Sequence, residues 1–246
     1  MTQPLLIFTH IPRCGGTSMW RAFKSVYGKR SKRIVGKGSA GTKQEVADIL
    51  RFRPHDFDVV GGHVYYGIGK NCTQRPYYYF TLFRDPTSVV LSRYFKRSSP
   101  EIQEKKARRQ RGDFEENLQK LKNRFNIDPA TYIRNNSNPL TKYLRGRHAL
   151  DIEATSEDLE LAKEHLRRDY VCFGIVERYA ESMELVAKTL GWEHVPQVEL
   201  RNKGGNRPPK YDPELLELGR EVNALDYELY DFAQKLFDEK LAALRS

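Results

Sequence analysis

The sequence has few cysteines and no long run of apolar residues. Its three cysteines, Cys14, Cys72 and Cys172, are odd in number and far apart, which argues against a disulfide framework and offers no zinc-binding spacing. We therefore expect a reducing, cytoplasmic location and no metal site. The apolar runs fall short of the roughly 18 residues that a membrane-spanning helix needs, and the first residues lack the basic region of a signal peptide. We expect neither feature.

The sequence also lacks internal repeats, low-complexity tracts and long linkers rich in proline or glycine. A chain of 246 residues is long enough to bury one sizeable core and too short to divide comfortably into two domains. We therefore predict one domain over residues 1–246.

Acidic residues are fewer than basic residues, and the imbalance is local. The chain carries 42 Lys and Arg against 32 Asp and Glu, which gives a formal net charge of +10. Residues 20–53 hold ten Lys or Arg against only Glu45 and Asp48, more than a solvated surface needs. A field of this sign attracts polyanions, whether nucleic acid, acidic glycan or a phosphorylated cofactor.

Four apolar runs rich in β-forming residues predict strands that are buried on both faces. Each run is followed by a glycine turn or a helical pattern, an alternation typical of a parallel sheet with crossover helices. The fold class is therefore predicted as α/β, a parallel sheet flanked by helices. The runs are PLLIFTH (4–10), FDVVGGH (57–63), YYYFTLF (77–83) and YVCFGIV (170–176).

Helical periodicity and capping signals predict the intervening helices. Three Asp-Pro pairs open helices, because aspartate caps the first turn and proline fits inside it. The polar range 101–125 holds eight basic and five acidic residues and is interpreted as a solvated or mobile helix. The predicted helices are 17–27, 42–51, 86–98, 101–125, 128–136, 156–168, 178–190, one that follows Asp212-Pro213, and a last one over about 221–244.

The stretch RCGGTS, residues 13–18, joins the first predicted strand to the first helix. Gly15 and Gly16 allow the backbone to approach a ligand closely. Hydroxyl groups and a cation are supplied by Thr17, Ser18 and Arg13. An ordinary turn with a Thr or Ser cap explains the hydroxyls but neither the paired glycines nor the preceding cation. We therefore favour an anion site at the helix N-terminus.

A second group of polar residues follows the third predicted strand. The strand ends before Arg84, Asp85 caps the next helix, and Pro86 occupies its first turn. Ser92 lies seven residues beyond Asp85, about two helical turns, so it returns to the same helix face. Arg84 and Ser92 can therefore share one ligand.

Together these motifs resemble those of a sulfotransferase family. HIPRCGGTS (10–18) is similar to the 5′-phosphosulfate loop, and RDPTSVVLS (84–92) to the 3′-phosphate motif, of enzymes that use 3′-phosphoadenosine 5′-phosphosulfate (PAPS). The specific family includes heparan sulfate and dermatan 2-O-sulfotransferases. Weaker similarities in GGHVYYG, NPLTKYLRG, FGIVERYAESMELVAKTLGW and NALDYELYDFAQKLF extend the resemblance over most of the chain. It implies a P-loop-NTPase-like fold.

The resemblance implies in-line transfer of a sulfuryl group from PAPS to an acceptor hydroxyl. His63 would be the general base, a role suited to neutral imidazole, and Arg13 would stabilise the leaving group. The family usually has Lys-Thr where this chain has Arg13 and Cys14, and arginine keeps the charge of lysine but not its geometry. The implied cofactor-binding residues are Arg13, Cys14, Gly15, Gly16, Thr17, Ser18, Arg84 and Ser92.

Two further parts of the sequence are candidates for the site. His63 follows two glycines at the expected carboxyl edge of the sheet, where ligands of open α/β sheets bind, so we favour catalysis over a structural role. His10 is the alternate base. The basic stretch RNKGGNRPPK, residues 201–210, is either a loop that closes over the cofactor through Lys203 and Gly204 or a solvated linker.

Two other functions account for parts of the pattern. A P-loop nucleotide kinase needs GxxxxGK[ST] and a metal-binding acid after a strand, whereas Asp58 precedes its strand and the loop has no GK[ST]. A nucleic-acid-binding protein is supported by charge alone, and we expect no nucleic-acid partner. The acceptor stays open among a glycan, a lipid and a small molecule, as does the oligomeric state.

Overall fold

The computed structural model describes residues 3–34, 38–146, 152–200, 208 and 210–245. Within these ranges five strands form one parallel sheet in the order β2-β3-β1-β4-β5. The predicted α/β class, with a parallel sheet flanked by helices, is confirmed, and all four predicted strands are present. The strands are β1 (Leu5–Thr9), β2 (Ser31–Arg33), β3 (Val59–Gly62), β4 (Tyr77–Phe83) and β5 (Tyr170–Ile175).

Strand β2 is the one strand that the sequence patterns do not predict. It is three residues long, polar and only partly buried, so it lacks the apolar pattern of the other four. It lies at the edge of the sheet, where it pairs with β3. An edge strand has one side near solvent and therefore tolerates polar and charged residues.

Eleven α-helices lie in the described part of the chain. The predicted bounds agree to within four residues except at 101–125, where the chain turns at Gly112 (φ 102°) and forms two helices. α7 is a short helix that the predictions lack. The helices are α1 (Gly16–Tyr27), α2 (Gly38–Phe52), α3 (Pro86–Ser98), α4 (Pro100–Ala107), α5 (Phe114–Phe125), α6 (Pro129–Arg134), α7 (Pro139–Leu144), α8 (Ser156–Asp169), α9 (Tyr179–Thr189), α10 (Pro213–Val222) and α11 (Ala224–Arg245).

The three Asp-Pro pairs begin helices as predicted. The carboxylates of Asp85, Asp128 and Asp212 each accept a hydrogen bond from a backbone N–H in the first turn, and a proline follows each of them. Such caps typically contribute about 1 kcal/mol. The cap at Asp85 matters most here because it starts α3 directly after Arg84.

The register of the strands decides which residues meet at the carboxyl edge of the sheet. Thr9 of β1 is paired with Gly62 of β3, so the residues that follow, His10 and His63, leave the sheet side by side. β4 lies on the other side of β1 and ends just before Arg84. The loop after β1 is therefore flanked by His63 on one side and Arg84 on the other.

The core is built from the central strands and the inner face of α1. β1 and β3 are buried at every position. Phe8 of β1 contacts Trp20, Phe23 and Phe80, with ring centroids 5.1–5.8 Å apart. Burial of such side chains contributes on the order of 2–3 kcal/mol each. This packing fixes α1 against the sheet and holds its N-terminus at the carboxyl edge.

Within the described ranges, no helix is both long and apolar enough to cross a bilayer. The single domain over residues 1–246 and the cytoplasmic location stay predictions from the sequence.

Candidate active site

The loop from β1 to α1 ends in a helix N-terminus suited to an anion. Gly15 precedes α1 with a φ of 66°, a left-handed conformation that glycine adopts without strain. The first helical hydrogen bonds run from the N–H groups of Ser18 and Met19 to the Gly15 carbonyl. The N–H groups of Gly16 and Thr17 therefore precede the hydrogen-bonded turn. The first turn holds no acidic residue, which further favours an anionic ligand.

The side chains of this loop differ in accessibility. Thr17 is exposed, whereas Ser18 is buried. Cys14 is fully buried, and burial raises the pKa of its thiol to about 12. Its N–H donates to the Ile11 carbonyl at 3.3 Å. Cys14 therefore offers a ligand neither an accessible thiol nor a free N–H donor, although it stands among the predicted cofactor-binding residues.

Two hydrogen bonds join the two sequence motifs. Arg13 Nε donates to Ser92 Oγ at 2.8 Å, and Arg84 Nη1 donates to the Arg13 carbonyl at 3.2 Å. Arg13 has a φ of 76°, a conformation that costs a non-glycine residue about 1 kcal/mol, and these contacts hold it there. The structure thus brings Arg13, Arg84 and Ser92 together, as a shared ligand requires.

Arg84 faces one carboxylate at the limit of ion pairing. Its Nε lies 4.0 Å from Glu177 Oε1. Glu177 also accepts hydrogen bonds from the Asp85 N–H at 3.2 Å and the Tyr230 hydroxyl at 2.9 Å. A partly exposed ion pair at such a distance contributes little. The Arg84 guanidinium therefore retains the capacity to bind an anion.

His63 and His10 are neighbours at the carboxyl edge, with ring centroids 4.6 Å apart. His63 Nδ1 lies 2.9 Å from the His10 carbonyl oxygen. Because a carbonyl oxygen only accepts, the hydrogen-bond network assigns the proton to Nδ1 and leaves the lone pair on Nε2. His63 is partly exposed, whereas His10 is 5% exposed. His63, rather than the alternate base His10, therefore presents an accessible proton acceptor.

Burial and nearby charges hold both histidines neutral. Burial lowers the pKa of His63, and the charges of Arg33, Arg93 and Lys96 lower it further against the opposing bond to the His10 carbonyl. Burial lowers the pKa of His10 well below 6.5, followed by the charge of His63 and then Arg33 and Lys96. A neutral imidazole is the form that can accept a proton at physiological pH.

Gly16 has a packing role in addition to any contact with a ligand. A Cβ atom at this position would lie 1.9 Å from His10 Nε2, so a larger residue would displace the imidazole ring. That ring also stacks on Phe8, with centroids 5.2 Å apart. The second glycine of the loop therefore allows α1 to approach His10 closely.

Three cations that the sequence motifs do not mark lie near the histidines. Arg33 comes from the edge strand β2, and Arg93 and Lys96 come from α3. Across the ranges that the structure covers, none of the three forms an ion pair with a carboxylate. Arg93 and Lys96 are three residues apart on α3 and therefore lie on the same side of the helix as each other. This spacing is a signal in the sequence that points to a pair of cations.

A basic cavity of about 490 Å³ adjoins the loop on the side of β2. Trp20 contributes to its lining, and the Nε1 atom of this residue is shielded from solvent and has no hydrogen bond to any described residue. Polar and cationic walls suit a hydroxyl-bearing or anionic molecule. The lining residues are Thr17, Trp20, Arg21, Lys24, Ser25, Ser31 and Arg33.

The predicted contacts of Lys203 and Gly204 lie outside the described residues. The remaining predicted site residues lie at the carboxyl edge of the sheet, on the adjacent first turn of α1 or, for Ser92, in the middle of α3.

Comparison with known proteins gives no family for this chain. No protein-family model matches it, and no curated protein sequence matches it. The functional inference therefore depends on the geometry and charge of the described residues.

Proposed function

We propose that this protein is a PAPS-dependent sulfotransferase. The observation that carries the proposal is the chain of contacts from Ser92 through Arg13 to Arg84, which joins the glycine loop to the start of α3. Two cations and a helix N-terminus at one place suit a ligand with two separated anionic groups. The adenosine 3′,5′-bisphosphate part of PAPS is such a ligand.

The topology of the sheet also supports the proposal. All five described strands are parallel, and the glycine loop leaves the central strand β1 to begin α1. This arrangement is compatible with a P-loop-NTPase-like architecture, which we propose as the specific fold. The loop sequence differs from a nucleotide-kinase loop because the cation, Arg13, precedes the glycines.

The residues fit the two ends of the nucleotide in different ways. We assign the 5′-phosphosulfate to Arg13 and to the N–H groups of Gly16 and Thr17. The 3′-phosphate is assigned to Arg84 and Ser92, the charged and hydroxyl groups that flank the start and middle of α3. Ser18 and Gly15 shape the first turn, and the contacts of Lys203 and Gly204 stay predictions.

The proposed reaction needs a base on one side of the transferred group and positive charge on the other. Bound PAPS would supply the sulfuryl group, whose bond to the 5′-phosphate oxygen breaks as the acceptor oxygen bonds to sulfur. His63 Nε2 takes the hydroxyl proton of the acceptor. Arg13 and the α1 N-terminus stabilise the negative charge that the phosphate oxygen gains. The products are a sulfate ester and adenosine 3′,5′-bisphosphate.

The acceptor is proposed to enter through the basic cavity beside β2. Thr17 connects this cavity to the loop, and Arg33 connects it to the histidines. Its polar and cationic walls are compatible with a glycan, a lipid head group or a small hydroxyl compound. No nucleic-acid partner is part of the proposal.

A thermal-shift comparison of adenosine 3′,5′-bisphosphate with ATP plus magnesium tests the proposal. At about 100 times its Kd the bisphosphate should stabilise the protein by about 3 kcal/mol, or roughly 5–10 °C in Tm. Arg84→Ala should weaken binding of the bisphosphate at least tenfold, because a charge-assisted contact is lost. Arg51→Ala removes an exposed charge from α2 and is the matched control. An equal or larger response to ATP plus magnesium would contradict the proposal.

A further inference from the structure

Arg93 is a buried cation that the reaction proposed above does not use. It lies on α3 directly after Ser92 and is only 9% exposed. Its Nε and Nη2 atoms are shielded from solvent and make no hydrogen bond to any described residue. Nor does a carboxylate within the described ranges form an ion pair with it. A buried guanidinium in this state lacks the partners that normally compensate its burial.

The charge of Arg93 acts on three different elements around the candidate site. It lowers the pKa of His63 after β3 and opposes the burial that raises the pKa of Cys14 in the glycine loop. Burial raises the pKa of Tyr143 on α7, and the charge of Arg93 acts against this increase. Arg93 is therefore close enough to the glycine loop, the candidate base and α7 for its charge to act on all three.

Other buried arginines in this protein have partners. Arg145 is fully buried and donates from Nη1 to Asp158 at 2.9 Å and to the Glu153 carbonyl at 3.0 Å. Arg75 is 6% exposed and donates to backbone carbonyls. Arg93 differs from both because no hydrogen bond or ion pair with a described residue involves its side chain, which makes it a candidate for ligand binding.

We propose that Arg93 is an oxyanion receptor of the candidate site and that, within the proposed function on which this assignment rests, it binds the sulfonate of PAPS. In an in-line transfer the sulfonate lies between the leaving phosphate, held by the glycine loop, and the acceptor oxygen, which faces His63. A cation close to both the loop and His63 is beside that group. Lys96 is less suited to the role because it is exposed and its ammonium does not present the planar fork that matches an oxyanion.

A pair of nucleotides that differ only in the sulfonate tests the assignment. Affinities of PAPS and adenosine 3′,5′-bisphosphate are measured by calorimetry for the wild-type protein, Arg93→Met and Arg93→Lys. Arg93→Met should weaken the affinity for PAPS about tenfold or more, since charge-assisted hydrogen bonds are lost. Its affinity for the bisphosphate should change less than about threefold. Arg93→Lys restores charge without the fork and should recover part of the loss.

The matched control is Arg97→Met, four residues further along α3. The Arg97 guanidinium lies over the Phe125 ring, 5.6 Å from its centroid. Arg97→Met therefore removes one positive charge, as Arg93→Met does, but at a different place on the protein. Both affinities should then change less than about threefold. The Tm of ligand-free Arg93→Met should equal or exceed that of the wild type, because an unpaired buried charge is removed.

Several outcomes overturn the assignment. Equal loss of affinity for both nucleotides would make Arg93 a phosphate ligand, and no loss for either would leave it without a role in donor binding. A large drop in Tm of the ligand-free variant would make its role structural. Sulfate provides a readout that does not depend on the proposed function: it should raise the Tm of the wild type more than that of Arg93→Met. If no nucleotide binds, the proposed function fails, whereas an equal sulfate response in both proteins removes the receptor itself.

Discussion

The two edges of the sheet use arginine in opposite ways. At the amino edge, Arg75 donates to the carbonyls of Gln3, Pro54 and Phe57 at 2.6–3.0 Å, which belong to the segments that lead into β1 and β3. Its guanidinium is engaged by these carbonyls and by the Asp58 carboxylate, whose Oδ1 lies 3.6 Å from Nη2. At the carboxyl edge, Arg93 is almost as buried but has two nitrogens without a partner among the described residues.

This difference separates an arginine that stabilises the fold from one that, under the proposed function, binds a ligand. An arginine that satisfies buried carbonyls stabilises the strands around it, because those acceptors would otherwise lack donors. An arginine that is buried without acceptors reduces stability and is retained for another reason. Active sites are places where such unsatisfied groups collect. Among the described residues, such groups lie near the carboxyl edge of this sheet at His10, Arg33 and Arg93, whereas Arg75 at the amino edge is paired.

The largest effect that sharpens the comparison is expected from matched substitutions at the two edges. Arg75→Met should lower the free energy of unfolding by about 3–5 kcal/mol, since it leaves several buried carbonyls without donors. Arg93→Met, at the carboxyl edge, should be neutral or stabilising. Urea denaturation of the two variants and the wild type measures both. Equal destabilisation by the two substitutions would mean that both arginines are structural and would break the comparison.

A smaller effect is expected at Gly16, where the carboxyl edge is most tightly packed. In Gly16→Ala the new methyl group meets the buried His10 ring, and relief of this overlap should cost about 1–3 kcal/mol, partly offset by the better helix propensity of alanine. Thermal denaturation measures the change. Thr17→Ala, at the exposed next position, is the control and should stay within about 0.5 kcal/mol of the wild type.

A double variant checks the cause assigned to the Gly16 effect. If the cost of Gly16→Ala comes from overlap with the imidazole, it should shrink in a His10→Ala background, because the obstructing ring is absent. An unchanged cost in that background would trace the effect to the loop backbone instead.

The smallest effect concerns pH and the neutral histidines of the carboxyl edge. The pKa of His10 in the folded state lies well below its ordinary value of 6.5, so the unfolded chain binds more protons in the window below pH 6.5. Burial of neutral His10 therefore costs no stability above that pH, and the free energy of unfolding decreases as the pH falls below it. Between about pH 7.5 and about pH 5.5, His10→Asn should lose about 1 kcal/mol less stability than the wild type.

The control for the pH experiment is His55→Asn, since His55 is exposed and lies near the amino edge. This variant should lose as much stability on acidification as the wild type does. The same pH dependence in wild type and His10→Asn would mean that the carboxyl edge does not hold His10 neutral.

Much of the fold follows from short-range patterns. The four apolar strands are predicted because strands covered on both faces have near-continuous apolar sequence, and the three Asp-Pro helix starts because capping is a local interaction. The edge strand Ser31–Arg33 is missed because pairing with β3, and not its own composition, makes it a strand. The division of 101–125 into α4 and α5 is not predicted because the polar, charged pattern continues on both sides of the turn at Gly112.

The candidate site is also predictable only where it depends on short-range sequence patterns. Arg13, Arg84 and Ser92 are found from motif chemistry, and the structure adds the hydrogen bonds that connect them. Arg93 is not found because a single arginine on an amphipathic helix is usually solvated. Its burial depends on the elements that pack against α3, among them α7, and these cannot be read from the helix sequence.

The sequence by itself determined the class of the fold, the starts of the main helices, and the glycines, hydroxyls and cation that follow β1, because each of these depends on neighbours a few residues away. Tertiary structure alone decided that His10 fills the space above Gly16, that His63 is held through the His10 carbonyl, and that Arg93 is buried with two nitrogens unpaired among the described residues. These contacts depend on strand register, and a shift of one residue would turn every side chain of a strand to the other face.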